Sequence, residues 1–210
     1  MTKGKTHLVY QFKISLSEIE PLIWRRIQVP AKYSFWDLHV AIQDAMGWLD
    51  YHLHAFRIHQ KHKRKSIEIG IPGDEWDDAT VVPGWEIPII DHLTEPGQLI
   101  EYEYDFGDGW NHDVLFEAIL LKTKGTKYPK CIGGERACPP EDCGSISGYY
   151  RLIEILQDPT HDEYEENVAW LKGHAKNYYP YDPDKFSPEE VRFENPKRRW
   201  EIAFSQDGEG

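Results

Sequence analysis

The three cysteines of the chain stand close together in the segment "YPKCIGGERACPPEDCG". Cys131, Cys138 and Cys143 have the spacing C-x6-C-x4-C. Thiolates are soft ligands that suit zinc, and three of them with one more ligand make a tetrahedral site. His112 or His161 would have to supply that ligand. The tight C-x2-C spacing of many structural zinc sites is absent, so buried thiols in a well-packed loop are the alternative.

A second group of candidate ligands lies in "YDFGDGWNH". Asp105, Asp108 and His112 would converge at the tip of a hairpin and bind a divalent cation through oxygen and imidazole ligands. Glu141 and Asp142, beside the last cysteine, would complete a hydrolytic centre. The plainer interpretation is a turn, because Asp-Gly between two alternating runs is typical of a hairpin.

Histidines form a third group. His52 and His54 are two residues apart, so on a strand they point to one face and could share a metal or relay a proton. His39 would approach them only if its helix packs on that face. Exposed histidines, or histidines satisfied inside the core, are the alternative.

Aromatic and basic residues are interleaved around Trp24 and Arg26, a pattern that can stack nucleobases or bind a peptide. Most tryptophans of a small domain, however, pack in its core or at its rim. The candidate binding residues are therefore Asp105, Asp108, Trp110, His112, Glu141, Asp142, Trp24, Arg26, His52 and His54. The candidate metal ligands are Cys131, Cys138 and Cys143, with zinc as the cofactor.

Hydrophobic periodicity predicts the elements that position these residues. Residues 8–16 alternate as a half-buried strand, and a second strand ends at Pro30. A helix begins after Ser34, where Asp37 completes a capping box, and ends at Gly47. Further expected elements are a strand over 52–60, a loop over 71–88, the 100–121 hairpin, an ordered loop over 128–148 beside that hairpin, helices over 149–157 and 161–172, and a last helix or strand within 189–204.

This order predicts an α+β fold. We expect a largely antiparallel mixed sheet, one main helix after the first two strands, and C-terminal helices packed on the sheet. Residues 1–204 would form a single domain and 205–210 a disordered tail.

The composition narrows the function. The 210 residues carry a net charge of −12, which disfavours non-specific binding to nucleic acid. No apolar run is long enough for a signal peptide or a membrane span, and an odd number of cysteines argues against a disulfide framework. We therefore expect a cytoplasmic protein. No nucleophile elbow, P-loop or dinucleotide-binding glycine motif occurs.

Three blocks together resemble the plasmid pRi ORF-3-like protein family. They are "PLIWRRIQVPAKYSFWDLHVAIQDAMGWLDYHLHAF", "YEYDFGDGWNHDVLFE" and "YPKCIGGERACPPEDCGSISGYYRLIEIL". One departure is Ser145, which stands where the family usually has a second glycine. The resemblance implies that this chain belongs with a set of uncharacterised microbial proteins, some of them carried by mobile elements. It brings no activity with it.

Two functions remain open. The first is a binding module without catalysis, whose partner is a protein or, through the mobile-element association, a nucleic acid. The second is a metal-dependent hydrolase, for which nucleic acid is one candidate substrate. Both require the tip of the 104–112 ribbon and the thiol-bearing segment to meet over a common cleft.

Overall fold

The structure of the protein, a computed structural model, describes residues 7–59, 66–73 and 81–204. Eight strands and four α-helices lie in these ranges. The strands are β1 (Leu8–Leu16), β2 (Trp24–Pro30), β3 (His54–Ile58), β4 (Ile67–Gly70), β5 (Val82–Pro83), β6 (Leu99–Tyr104), β7 (Trp110–Leu121) and β8 (Lys130–Glu135). The helices are α1 (Phe35–Met46), α2 (Ser145–Gln157), α3 (Tyr164–Gly173) and α4 (Pro196–Phe204).

The strands form one sheet in the order β5-β4-β3-β6-β7-β1-β2-β8. Neighbouring strands are antiparallel except for the parallel pair of β4 and β5. In β1 the alternation predicted from the sequence places Tyr10, Phe12 and Ile14 in the core. The α+β fold with a largely antiparallel mixed sheet is confirmed.

Helix α1 has the predicted ends. The Asp37 backbone NH donates to Ser34 Oγ at 3.1 Å, and the Ser34 NH donates to Asp37 Oδ2 at 2.9 Å, which completes the capping box. Gly47 ends the helix with φ of 95°, a conformation that favours glycine. The Arg25 guanidinium is buried and donates from Nε to the Ala45 carbonyl at 2.9 Å. Its positive charge therefore lies at the negative, C-terminal end of the helix dipole.

The segment 128–148 is not a loop throughout. Residues Lys130–Glu135 pair with β2 as an edge strand, with Cys131 opposite Ile27, and α2 begins at Ser145. The sequence of this strand does not show the alternation of apolar and polar residues that is typical of a strand, because it contains glycine and cysteine, which give no strong apolar or polar signal. The predicted loop is therefore corrected to a strand, a connecting segment and the first turn of a helix.

The C-terminal helices pack in different ways. Helix α2 buries Tyr149, Leu152 and Ile155, and α3 lies against α2. Helix α4 has no buried residue and docks on α1, where Arg199 Nη2 lies 2.8 Å from Asp44 Oδ1.

Several predicted segments fall partly or wholly outside the described ranges, including residues 74–80 of the predicted 71–88 loop. The strand predicted over 52–60 is observed from His54 to Ile58, and residue 60 is not described. The predicted tail over 205–210 also lies outside the described residues. Among the helices that are described, none has the length and apolar character needed to cross a membrane.

Candidate functional site

Strand pairing brings His52 and Asp105 together. His54 of β3 lies opposite Tyr104 of β6, and the Asp105 NH donates to the Leu53 carbonyl at 2.9 Å. The residues just before β3 and just after β6 are therefore neighbours at one end of the sheet. His52 Nε2 lies 3.6 Å from Asp105 Oδ2.

The Asp105 carboxylate is held by its own turn. Its Oδ1 accepts from the Gly107 NH at 3.0 Å and from the Asp108 NH at 3.3 Å. The other oxygen, Oδ2, is the one that faces His52. The residue adopts φ of 56° and is buried. The strand has ended by this residue.

Asp142 reaches the same place from the segment before α2. Its Oδ1 lies 2.9 Å from His52 Nε2. Asp142, Gly144 and Ser145 have φ of 60°, 87° and 66°, and these left-handed conformations turn the chain sharply into the helix. Ser145 adopts the left-handed conformation in spite of its Cβ.

These three residues form a candidate metal centre. One ligand atom each from His52, Asp105 and Asp142 lies within 4.8 Å of the other two, and within the described ranges no other group of three or more His, Cys, Asp or Glu residues meets this condition. One imidazole nitrogen and two carboxylate oxygens suit a divalent cation such as Zn²⁺ or Mn²⁺. The side chains of His52 and Asp142 are 31% and 51% exposed, so the site is open to solvent.

A buried carboxylate fixes the segment that carries Asp142. Tyr104 donates its hydroxyl hydrogen to Glu141 Oε1, and the Leu49 NH donates to Glu141 Oε2 at 2.7 Å. Burial, together with the neighbouring Glu141 carboxylate, raises the pKa of Tyr104, so its hydroxyl remains a donor. Glu141 is therefore placed to position the site rather than to bind a ligand.

The hairpin tip also contacts the thiol-bearing segment directly. The Gly144 NH donates to Asp108 Oδ2 at 3.2 Å. The neighbourhood on which the sequence analysis relied is therefore present in the structure, although Asp142 rather than Cys143 makes the contact with His52.

His174 joins the site from beyond α3, and the sequence analysis did not find it. Its Nε2 lies 3.9 Å from Asp142 Oδ2, and its Nδ1 accepts from the Lys176 NH at 3.3 Å. The 3.9 Å separation from Asp142 is within ion-pair distance but is too long for a direct hydrogen bond. No spacing in the sequence connects this residue to the loop before α2.

The thiols do not form the predicted zinc site. Cys131 belongs to β8, Cys138 is buried in the connecting segment and Cys143 precedes α2, and their sulfur atoms do not form a group within ligand distance. Burial raises the pKa of Cys138 to about 12 and also raises that of Cys143. Because the three sulfur atoms do not come together among the described residues, the zinc site predicted for them is not formed, and Cys131 and Cys138 pack as buried residues.

His112, His54 and Trp110 are core residues. Trp110, His112 and Val114 share the inward face of β7, so His112 cannot converge with Asp105 and Asp108 as predicted. His112 Nδ1 lies 3.2 Å from the Tyr102 carbonyl oxygen. His54 likewise faces the core, where it stacks on His39, and so it does not join His52 in a shared site.

Trp24 and Arg26 lie on the opposite, open face of the sheet. The Arg26 guanidinium makes two hydrogen bonds to Glu117, of 2.7 and 2.8 Å, and lies 5.1 Å from the centre of the Trp24 ring. The side chains of Trp24 and Arg26 project from the other face of the sheet, so they do not belong to the His52 site.

Comparisons with known proteins give a consistent identification. The family model described as "Plasmid pRiA4b ORF-3-like protein" matches residues 8–190. The "Uncharacterized protein y4hQ" of Sinorhizobium fredii (strain NBRC 101917 / NGR234) is 33% identical over 163 residues, which cover 77% of this chain and 80% of the relative. The crystal structure of a protein of unknown function, MM3350 from Methanosarcina mazei Go1, has a TM-score of 0.77 and 41% identity, covering 89% of this chain and 99% of that one.

Proposed function

This chain belongs to the family of plasmid pRiA4b ORF-3-like proteins, which brings no activity with it, and from the geometry of the His52 site we propose that it is a metal-dependent hydrolase. Its divalent cation is held by His52, Asp105 and Asp142. The observation that carries the proposal is the approach of one imidazole nitrogen and two carboxylate oxygens to within 4.8 Å of one another.

The openness of the site favours catalysis over a structural role. Structural zinc sites are closed by four protein ligands, whereas catalytic sites have three and leave a position for water or substrate. Here three ligands converge, and two of them are partly exposed. A divalent cation in such a site supplies an activated water and polarises an ester or amide oxygen.

The residues of the chain around the site have supporting roles. The Asp105 turn holds Oδ1 and leaves Oδ2 facing His52, and His174 lies beside Asp142 on its other oxygen. Asp105 and Asp142 are both in the left-handed conformation, which is uncommon outside glycine and accumulates at functional sites.

Titration with Mn²⁺, followed by the loss of its free EPR signal, tests the metal site. We expect His52→Ala and Asp142→Asn each to weaken Mn²⁺ binding by more than about tenfold, because each removes a ligand. His59→Ala is the matched control, since His59 is an exposed histidine bonded to Glu101 at 3.0 Å, outside the group of three ligands. Equal Mn²⁺ affinity in all four proteins, or no binding of Mn²⁺ or Zn²⁺, removes the proposal.

Hydrolysis is tested with the metal-loaded protein and a panel of p-nitrophenyl phosphate, bis-p-nitrophenyl phosphate and p-nitrophenyl acetate. The expected result is turnover of one ester that chelator abolishes and that Asp142→Asn lacks. Metal binding without turnover of any ester would reduce the assignment to a metal-binding protein.

The alternative proposal is a binding module for protein or nucleic acid on the open face of the sheet. It draws support from Trp24, a half-buried ring with Lys13 and Arg26 at 5.3 and 5.1 Å from its centre. The pairing of Arg26 with Glu117 leaves little free positive charge there, and we therefore favour the metal site.

A further inference from the structure

A cleft adjoins the candidate metal centre. It has a volume of about 240 Å³ and lies between α2 and α3, with Asp142 at its edge. Asp142 therefore belongs both to the group of three ligands and to the lining of the cleft. A molecule in the cleft would therefore lie beside Asp142, one of the three candidate ligands.

The walls of the cleft combine one cation with an apolar floor. Among the described residues that line it, Arg151 is the one cation, and Leu152, Ile155 and Trp170 supply the apolar surface. Arg151 donates from Nη2 to Glu163, and the two side chains are 58% and 42% exposed. Exposed ion pairs contribute little to stability, so Arg151 can exchange Glu163 for an oxyanion of a ligand at low cost.

The charges near the cleft indicate that the divalent cation binds first and the anion second. Asp142 lines the cleft, and Asp105 and Asp108 belong to the neighbouring turn, which contacts this segment through His52 and the Gly144 NH, so the carboxylates of this region repel an anion. A divalent cation between His52, Asp105 and Asp142 offsets the charge of its two carboxylate ligands. An anion then meets the cation on one side and the Arg151 guanidinium on the other, so its binding depends on the metal.

We propose that this cleft is the substrate pocket of the metal centre and that it takes a small molecule carrying an oxyanion group, phosphate or carboxylate. The inference rests on the proposed function. The oxyanion bridges the metal and Arg151, and the apolar part of the substrate lies against Leu152, Ile155 and Trp170. A volume of about 240 Å³ is below that of typical drug-sized pockets, so the cleft holds a small substrate and not a length of polymer.

The test uses the full chain loaded with Mn²⁺ and titrated with inorganic phosphate or with acetate, followed by water-proton relaxation at the bound Mn²⁺. Anion binding displaces water from the metal and lowers the relaxation rate. We expect Arg151→Gln to weaken anion binding by about tenfold, since it removes a charge-assisted contact, while the Mn²⁺ affinity stays unchanged. Glu163→Gln, which frees Arg151 from its ion pair, should strengthen anion binding severalfold. Tighter binding of phosphate than of acetate identifies a phosphate ester, and the reverse order identifies a carboxylate.

Three outcomes overturn the inference. The first is the same anion affinity in Arg151→Gln, Glu163→Gln and the parent protein, with Mn²⁺ still bound, which leaves the proposed function standing. The second is anion binding of equal strength without Mn²⁺, which separates the cleft from the metal centre. The third is failure to bind Mn²⁺ at all, which removes the proposed function together with the inference.

Discussion

The imidazole rings of His39 and His54 lie face to face in the core, with their centres 3.4 Å apart and their planes 8° from parallel. His39 is bonded to the Tyr102 hydroxyl and to Asp50, each at 2.8 Å, whereas His54 Nδ1 has no hydrogen-bond partner among the residues that the structure describes. Burial, and then the neighbouring His39, lower the pKa of His54 well below its usual value. Burial also lowers the pKa of His112, to about 4.

The first prediction is that acid destabilises the protein through these two histidines. Below about pH 6.5 the unfolded chain protonates both rings and the folded protein does not, so stability is complete above that pH and is lost as the pH falls. Between pH 7.5 and 5.5 we expect a loss of about 3 kcal/mol from the two groups. Urea unfolding at the two pH values measures the difference.

The variants His54→Phe and His112→Phe each should remove about half of this pH dependence, whatever their effect on stability at pH 7.5. His59→Gln, at an exposed histidine, should leave it unchanged. A pH dependence that survives the double replacement of His54 and His112 would assign it to other groups.

The second prediction concerns Gly148 in the first turn of α2. A Cβ at this residue would lie 2.0 Å from the Cys143 carbonyl oxygen, a backbone atom that cannot move aside alone. We expect Gly148→Ala to destabilise the protein by about 3 kcal/mol. Because the displaced turn carries Asp142, it should also weaken Mn²⁺ binding.

Gly173→Ala is the matched control, since a Cβ there meets no atom within 4 Å at the end of α3. It should stabilise the protein by about 0.5–1 kcal/mol. Thermal unfolding of both variants compares them directly, and equal effects at the two glycines would contradict the argument from close approach.

The third prediction is that Ser145→Gly stabilises the protein by about 1 kcal/mol. Ser145 has φ of 66°, a conformation that costs about 1–2 kcal/mol for a residue with a Cβ. Glycine removes that cost, but it also loses more conformational entropy on folding than serine does, which offsets part of the gain. Ser145→Ala keeps the Cβ and should change the free energy of unfolding by less than about 0.5 kcal/mol. Chemical denaturation distinguishes the two variants.

The fourth prediction is that Arg199→Ala releases α4 from α1. The Arg199 guanidinium lies 2.8 Å from Asp44 and 3.3 Å from Asp50, and both carboxylates are largely buried. Removing the cation leaves Asp44 without its ion-pair partner and Asp50 with His39 alone, at a cost of about 3 kcal/mol. The emission of Trp36 and Trp200 reports the release, because Phe204 of α4 packs on Trp36 and Trp200 of α4 packs on Trp85. Arg198→Ala, at the exposed neighbouring arginine, should leave the emission unchanged.

The sequence determined the elements and much of their arrangement. Alternation fixed the inward faces of β1 and β6, the capping box and Gly47 fixed both ends of α1, and Asp108-Gly109 indicated the turn between β6 and β7. These are local signals, set within a few residues by backbone geometry and by the period of side-chain burial.

Only the tertiary structure decided which candidate residues meet. The same alternation that formed β7 turned His112 into the core, whereas His52, just outside β3, remained free to reach Asp105. Asp142 and His174 arrive from segments far apart in the chain, through left-handed residues and helix packing that give no periodic signal. A site built at the ends of strands depends on how several elements end and pack against one another, and that depends on contacts remote in sequence.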